Sequence, residues 1–172
     1  MNLRKLHAAD SESFFKLRLH GLQESPSAFG SSYDEEKDRT IEQIDEHLDG
    51  SNERVFVGAF DEEHLVGIVG VGREQGVKER HIAFLRSMYV SPIARGKGLG
   101  RRLVVAALHR AATWDGVLQI TLAVTASNEP AVYLYRSVGF REVGRMPRAL
   151  LHEGEYFDEL SMVYDTGVSK HK

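Results

Sequence analysis

The segment that most constrains the fold of this chain runs from residue 85 to residue 103. An apolar stretch that ends at Val90 leads into a glycine-rich, basic turn, which leads directly into a helical pattern. The first N–H groups of a helix have no partner within the helix and lie at the positive end of its dipole, so they bind phosphate readily. Glycines let the backbone curl round such a group and approach it closely. The glycines and basic residues of the turn are Gly96, Gly98, Gly100, Arg95, Lys97, Arg101 and Arg102.

The spacing of these residues excludes two well-known phosphate loops. A Walker A motif would need Ser or Thr after the lysine to bind Mg²⁺, but Lys97 is followed by Gly98. The dinucleotide pattern G-x-G-x-x-G also fails, because the glycines stand at 96, 98 and 100. Two alternatives remain for this segment: it could be a phosphate loop for another nucleotide, or a turn that binds no ligand.

The remaining sequence predicts one mixed α/β domain over residues 1–167, followed by a disordered tail over 168–172. Asp10 is a predicted N-cap for a first helix that faces the core with Phe15, Leu19 and Leu22 and ends before Pro26. Further helices are predicted over 40–48, 99–114 and 129–138. The predicted strands are 3–6, 55–60, 65–71, 81–90, 118–125, 140–148 and 156–164, of which 81–90 is apolar enough to be buried on both faces.

A second motif follows the turn at residues 128–140. With the first, it resembles the GNAT superfamily of N-acetyltransferases. The family's phosphate-loop pattern [QR]-x-x-G-x-[GA] is matched at Arg95, Gly98 and Gly100. Its second pattern, N-x-x-A-x-x-L-Y-x-x-x-G-F, is matched at Asn128, Ala131, Leu134, Tyr135, Gly139 and Phe140. The resemblance is strong over residues 80–143 and implies the GNAT fold, a mixed sheet of about seven strands flanked by about four helices.

The resemblance also implies an activity and a cofactor. It implies an acyltransferase that moves an acetyl group from acetyl-CoA to a primary amine, either a polyamine or other small amino compound or a protein or peptide amine, by direct attack in a ternary complex. Tyr135 would protonate the departing thiolate. The residues expected to hold acetyl-CoA are Met88, Tyr89, Val90, Arg95, Gly96, Lys97, Gly98, Leu99, Gly100, Arg101, Asn128 and Tyr135. A non-catalytic module that binds or senses acyl-CoA is the alternative, and an acyl group longer than acetyl stays open.

The general base and the acceptor site are the least specified parts of the resemblance. Ala123 replaces the carboxylate that ribosomal-protein-type members carry, and the region around Phe84 lacks the glutamate of histone-type members. A relayed water, His81, Glu79 or a carboxylate from the first two helices could substitute. The groove for the amine is expected between the first helical pair and the last hairpin, where acidic residues and tyrosines would suit a cationic amine. The residues expected to bind it are Phe29, Tyr33, Glu36 and Tyr156.

Composition narrows the classes of protein and chemistry. The chain has no cysteine, which excludes a cysteine acyl-enzyme and cysteine-ligated zinc, and no metal is required by the proposed chemistry. The net charge of −3 argues against a nucleic-acid partner. The lack of an apolar run of about 20 residues argues against a membrane span. Together with the absence of a signal sequence, these features predict a cytoplasmic protein. A homodimer is compatible with the resemblance.

Overall fold

The computed structural model describes residues 1–167, and the predicted tail at 168–172 lies outside the described residues. Within that range, seven strands form one sheet with helices on both faces, as the resemblance implies. The strands are β1 (Asn2–Lys5), β2 (Arg54–Asp61), β3 (His64–Arg73), β4 (Ile82–Val90), β5 (Gln119–Thr125), β6 (Arg141–His152) and β7 (Glu155–Asp165). The helices are α1 (Ser11–Glu24), α2 (Tyr33–Glu36), α3 (Ile41–Asp49), α4 (Leu99–Ala112) and α5 (Glu129–Val138). We propose that residues 1–167 form a single domain.

The strand order is β1-β2-β3-β4-β5-β7-β6, and every neighbouring pair is antiparallel except β4 and β5. One apolar core lies between the sheet and helices α4 and α5, and a second is formed mainly by α1 and α3 with strands β2, β3 and β4. No helix among the described residues is long and apolar enough to cross a membrane.

Local signals in the sequence explain where most helices begin and end. Thr40 and Gln43 form the predicted capping box of α3, since each side chain bonds the other residue's N–H group. Helix α5 begins next to Pro130 and ends at Gly139, whose φ of 113° places it in the left-handed region. The single turn α2, which the sequence analysis missed, begins with a similar capping box at Ser32.

Two sequence predictions about burial are wrong. Helix α1 faces the core with Phe14, Leu17 and the predicted Leu22, whereas the predicted Phe15 and Leu19 are only half-buried. The buried stripe of the first turns is therefore shifted from the expected one, and it includes the side chain of Arg18. Strand β4 is not buried on both faces, because Arg86 on it is exposed. The predicted inward stripe of α4 is confirmed, since Leu103, Ala107, Leu108 and Ala111 are all buried.

Strand β4 diverges from β5 in the middle of the sheet. The two strands pair only from Ile82 to Phe84, against Gln119 to Thr121. Further along, Ser87 has a φ of 54° and the register between β3 and β4 shifts, so that β4 bulges. Beyond the bulge, Ser91 donates its N–H group to the carbonyl of Val66, which makes Val90 and Gly67 a non-hydrogen-bonded pair. The main-chain groups of Val90 therefore face the gap beside β5.

We expect Gly58→Ala to destabilise the fold, because strand β2 and its neighbours leave no room at this position. A Cβ atom at Gly58 would overlap Cδ2 of the fully buried Leu6 and lie 2.7 Å from Cδ1 of Leu65. Overpacking of this kind costs about 1–3 kcal/mol in the free energy of unfolding, which urea denaturation measures. Gly144→Ala on the exposed β6 is the matched control, because a Cβ there meets nothing within 4 Å. Equal stability of the two variants would contradict the prediction.

Candidate active site

The glycine-rich turn opens onto a cleft of about 470 Å³, which we call the β4–α4 cleft. It lies where β4, the turn and the start of α4 meet α5 and the segment that follows α1. The residues that line it are Ser25, Ala28, Phe29, Met88, Tyr89, Val90, Ala94, Arg95, Gly96, Gly98, Leu99, Gly100, Arg101, Asn128, Pro130, Ala131 and Leu134. The strand and turn residues that the sequence analysis selected are thus brought together here, apart from Lys97.

The start of α4 presents main-chain donors to this cleft. Gly98 is the N-cap residue and offers no side chain, and the first bond of the helix runs from the N–H group of Arg102 to the carbonyl of Gly98, at 3.2 Å. Within residues 1–167, the N–H groups of Leu99, Gly100 and Arg101 have no acceptor. Unpaired N–H groups at the positive end of a 14-residue helix form an anion site.

The turn needs glycine for conformational reasons. Gly96 and Gly98 have φ values of 76° and 71°, in the left-handed region that other residues rarely adopt. A Cβ atom at either position would meet no protein atom within 4 Å. The space in front of the turn is therefore free of protein, which leaves a cradle for a ligand.

Arg95 is held by the protein rather than free in the cleft. Its Nη1 and Nη2 atoms donate to the two carboxylate oxygens of Glu24 at 3.0 and 2.8 Å, and its Nε atom donates to the carbonyl of Val90 at 3.0 Å. The hydrogen bonds from Arg95 and Ser25 lower the pKa of Glu24 to about 2. The ion pair fastens the turn to the end of α1 and neutralises the charge of Arg95, so Arg95 acts on the turn mainly by positioning it.

The other basic side chains differ in their surroundings. Arg101 lines the cleft and donates from Nη1 to the carbonyl and hydroxyl of Ser137. Arg102 reaches the carbonyl of Met1. Lys97 is exposed and forms no ion pair with any carboxylate in residues 1–167. Lys97, Arg101 and Arg102 are all exposed, and no carboxylate within residues 1–167 pairs with any of them, so all three leave positive charge beside the turn.

The second motif supplies the opposite wall of the cleft. Asn128 caps α5 by accepting the N–H group of Ala131 at 3.3 Å, and Ala131 and Leu134 line the cleft. Tyr135 is 7% exposed, does not line the cleft and packs edge-on against Phe140. Its hydroxyl makes no hydrogen bond within residues 1–167, and burial raises its pKa to about 12. The hydroxyl is therefore a neutral donor that no protein acceptor occupies.

A second cavity of about 630 Å³ opens on the side where β4 leaves β5, and we call it the β4–β5 cavity. It shares Ala28 and Phe29 with the β4–α4 cleft, so the two spaces adjoin beside the segment that follows α1. The residues that line it are Arg18, Ala28, Phe29, Gly30, Ser31, Glu74, Phe84, Leu85, Arg86, Ser87, Thr121, Leu122, Ala123, Val143, Glu159, Ser161, Met162 and Val163. Adjoining cavities could hold two small molecules close together.

Two of the four residues predicted to bind the acceptor lie near each other, and the other two do not join them. Phe29 lines both cavities, and Tyr33 lines an adjoining surface groove with residues 150–153, which shares Phe29, Gly30 and Ser31 with the β4–β5 cavity. Tyr156 is 62% exposed and lines none of these three spaces. Glu36 is buried and its carboxylate pairs with Arg18, at 2.7 and 3.1 Å. Burial on its own would raise the pKa of Glu36, but the hydrogen bonds and charge of Arg18 outweigh it and lower that pKa.

Two carboxylates line the β4–β5 cavity. Sequence reasoning missed Glu74, whereas Glu159 lies in the last hairpin, which was expected to border the acceptor groove. Glu74 follows the end of β3, and Glu159 lies on β7 beside Thr125 of β5. Of the groups suggested from the sequence, Glu79 and His81 line neither space. Glu159 lies beyond the second motif, which ends at residue 140. It reaches this cavity because the strand order places β7 next to β5. Ala123, the position that lacks the family carboxylate, lines the cavity as well.

Comparisons with known proteins agree with this arrangement. Residues 18–140 match the model of the Acetyltransferase (GNAT) family. A spermidine N(1)-acetyltransferase of Vibrio cholerae is 31% identical over 121 residues, which are 70% of this chain and 68% of that protein. The uncharacterised protein ML0378 of Mycobacterium leprae is 40% identical over 93 residues, 54% of this chain, but the match spans only 24% of that protein. An acetyltransferase structure from Salmonella typhimurium, solved with acetyl-CoA, has a TM-score of 0.82 and 18% identity, with 100% of this chain and 97% of that chain covered.

Proposed function

Because the chain belongs to the GNAT acetyltransferase family, we propose that it transfers an acetyl group from acetyl-CoA to a primary amine while both substrates are bound. The chain is accordingly an acyltransferase that uses acetyl-CoA as donor. Direct transfer also suits a protein without cysteine, because no cysteine thiol is present to carry the acyl group between two half-reactions.

The observation that carries the proposal is the set of unpaired N–H groups at the start of α4, beside the free N–H group of Val90. A pyrophosphate fits the donors of Leu99, Gly100 and Arg101, because they face a cradle that no protein atom fills. The gap between β4 and β5 leaves the N–H group of Val90 free to pair with an amide-bearing arm, whereas its carbonyl already accepts from Arg95. Bound there, acetyl-CoA supplies a thioester, which is the activated acyl group.

In the proposed mechanism, the protein brings the amine and the thioester together and manages two protons. The amine nitrogen forms a bond to the carbonyl carbon, and the C–S bond breaks with its electron pair leaving on sulfur. Tyr135 donates a proton to that sulfur, and main-chain N–H groups near Val90 stabilise the negative charge that develops on the carbonyl oxygen. The amine attacks in its neutral form and then loses one proton, which passes through solvent to the carboxylate of Glu74 or Glu159. Holding both reactants in place supplies much of the acceleration.

The amine acceptor is the part of the proposal that relatives specify least. Related proteins are named for spermidine in Vibrio cholerae and for an α-amine in Mycobacterium tuberculosis, where the N-alpha-acetyltransferase RimI is 36% identical over 112 residues. Both acceptors are primary amines. The family therefore supports the class of reaction, and we infer the chemistry of the acceptor from the residues that line the β4–β5 cavity.

We expect the rate of transfer to show no alkaline loss below about pH 11. Tyr135 is active in its protonated, neutral form, and burial raises its pKa to about 12, so this form persists until the pH rises through that value. The measurement is kcat at saturating substrates from pH 7 to pH 10.5, where the profile should rise with amine deprotonation and then stay level. A descending limb below pH 10 that disappears in Tyr135→Phe would contradict the prediction.

The proposed function is tested first by calorimetric titration of acetyl-CoA into the purified protein. Dephospho-CoA and ATP are the comparators, because they separate recognition of the pantetheine arm from recognition of phosphates alone. We expect saturable 1:1 binding of acetyl-CoA and no heat from ATP. An absence of both heat and thermal stabilisation with acetyl-CoA would remove the basis for an acetyltransferase.

A further inference from the structure

The guanidinium of Arg18 has one end that no protein group satisfies. Its side chain is only 9% exposed, and its Nε and Nη2 atoms are taken up by Glu36. The third nitrogen, Nη1, is buried and has no hydrogen-bond partner within residues 1–167. The ring of Phe29 covers the group, with its centroid 4.8 Å from Cζ. Arg18 nevertheless lines the β4–β5 cavity.

An unpaired donor on a buried charged group is costly and uncommon, so it requires an explanation. Glu36 already neutralises the charge, which means that the orphan Nη1 is not needed to hold the ion pair together. The explanation that the location favours is a ligand in the β4–β5 cavity that carries an acceptor oxygen. Movement of Phe29, which lines both cavities, would bring Nη1 into contact with that ligand.

A second guanidinium lies on the same cavity. Arg86, on β4, is exposed and stacks on the ring of Phe84, with Cζ 4.3 Å from the centroid. It forms no ion pair with any carboxylate in the described part of the chain. Arginine donors in a planar array match the two oxygens of a carboxylate. Two arginines with free donors therefore favour an anionic group on the substrate.

The same cavity also carries two carboxylates, Glu74 and Glu159, neither of which is in an ion pair within residues 1–167. Free positive and free negative groups on one cavity fit a molecule that itself carries both signs. A polyamine, which is cationic throughout, would leave Arg86 unpaired and Arg18 Nη1 unsatisfied. A peptide N-terminus has no carboxylate next to its amine and would do the same.

Building on the function proposed above, we propose that the acceptor is a small amine that carries a carboxylate, of the class of the free α-amino acids, with its carboxylate bound by Arg18 Nη1 and Arg86. The amine then points to the gap between β4 and β5, where the thioester would lie. A cavity of about 630 Å³ is of the size that small-molecule sites have.

The test compares matched compounds that differ only in the carboxylate. The twenty common α-amino acids, their α-carboxamides and the corresponding decarboxylated amines are assayed with acetyl-CoA by release of free thiol, with spermidine included. We expect at least one amino acid to exceed its carboxamide and its decarboxylated amine in kcat/KM by about 100-fold or more, because sites built to bind a polar group reject analogues that lack it.

Two variants connect the preference to the arginines. Arg86→Gln should lower kcat/KM for the preferred amino acid by about 10- to 100-fold, mainly through KM, and leave acetyl-CoA binding unchanged. Arg18→Gln alone would leave the carboxylate of Glu36 buried without a partner. The double variant Arg18→Gln/Glu36→Gln is therefore used, and a thermal melt checks that it folds. Arg141→Gln, in an exposed ion pair with Asp165, is the control and should behave as the wild type.

Each result bears on the inference separately from the proposed function. If acetyl-CoA binds and spermidine or the carboxamides react as well as the amino acids, the inference is wrong and the acetyltransferase stands. If acetyl-CoA binds but no amino acid reacts or binds to the CoA-loaded protein in calorimetry, the inference is likewise overturned. If acetyl-CoA does not bind, it is the proposed function that fails.

Discussion

Tyr135→Phe should lower kcat by about 10²–10⁴-fold and leave acetyl-CoA affinity and stability almost unchanged. The substitution removes one hydroxyl that makes no hydrogen bond within residues 1–167, so no protein partner loses a bond. The ring keeps its contact with Phe140, whose centroid is 5.7 Å away. A loss confined to kcat is the signature of a group that acts in the transition state and not in substrate binding.

The matched control for this experiment is Tyr133→Phe on the same helix. Tyr133 is 76% exposed and lies outside both cavities, so its hydroxyl should have no effect on turnover. Steady-state kinetics and calorimetry are measured on both variants. An unchanged kcat in Tyr135→Phe would show that the hydroxyl is only a buried polar group, and the thiolate would then take its proton from solvent.

Gly98→Asp should weaken acetyl-CoA binding by at least about 100-fold, or about 2.8 kcal/mol. The new carboxylate would stand at the N-cap of α4, next to the N–H groups that we propose bind the pyrophosphate. At contact distances near a protein surface, two like charges repel by several kcal/mol. Aspartate tolerates the left-handed conformation better than most residues, so the backbone cost of the change is modest.

The control introduces the same left-handed backbone strain and the same negative charge at a turn away from the β4–α4 cleft. Gly154→Asp, in the turn between β6 and β7, changes a glycine with a φ of 83° whose surroundings are also empty within 4 Å. Calorimetric titration of acetyl-CoA should distinguish the two variants clearly. If both bind like the wild type, the anion site at α4 is not used; if both lose binding equally, the effect is one of stability.

The sequence predicted those parts of the structure that depend on neighbouring residues. Thr40 and Gln43 mark the start of α3, and Pro130 and Gly139 bracket α5, because caps and breakers act within a few positions. The stripe of α4 was predictable because four apolar residues recur at helical spacing. The turn at 95–101 was recognisable for the same reason, since its strand, glycines and helix are contiguous.

Features that depend on distant parts of the chain were missed. The orientation of α1 is set by its packing on β3 and β4. From the sequence alone, Phe14 and Phe15 are equally good candidates for the residue that faces the core. Glu36 was expected to bind a cationic amine, because its actual partner Arg18 is eighteen positions away in the sequence. Glu159 was expected only as one member of the last hairpin, and the placement of β7 beside β5 is what brings it to the β4–β5 cavity. Charge and pattern along the chain contain none of these long-range pairings.

Helix α1 carries Arg18 toward one cavity and Glu24, six residues later, toward the turn at the other. Six residues of helix span about 9 Å, so the two contacts lie less than two turns apart. The two proposed ligand sites are therefore connected by one helix, whose C-terminal end is bound by Arg95. If binding of acetyl-CoA orders the turn and this helix, it raises the affinity of the protein for the amine. Thermodynamic linkage then requires that the bound amine raise the affinity for acetyl-CoA by the same factor.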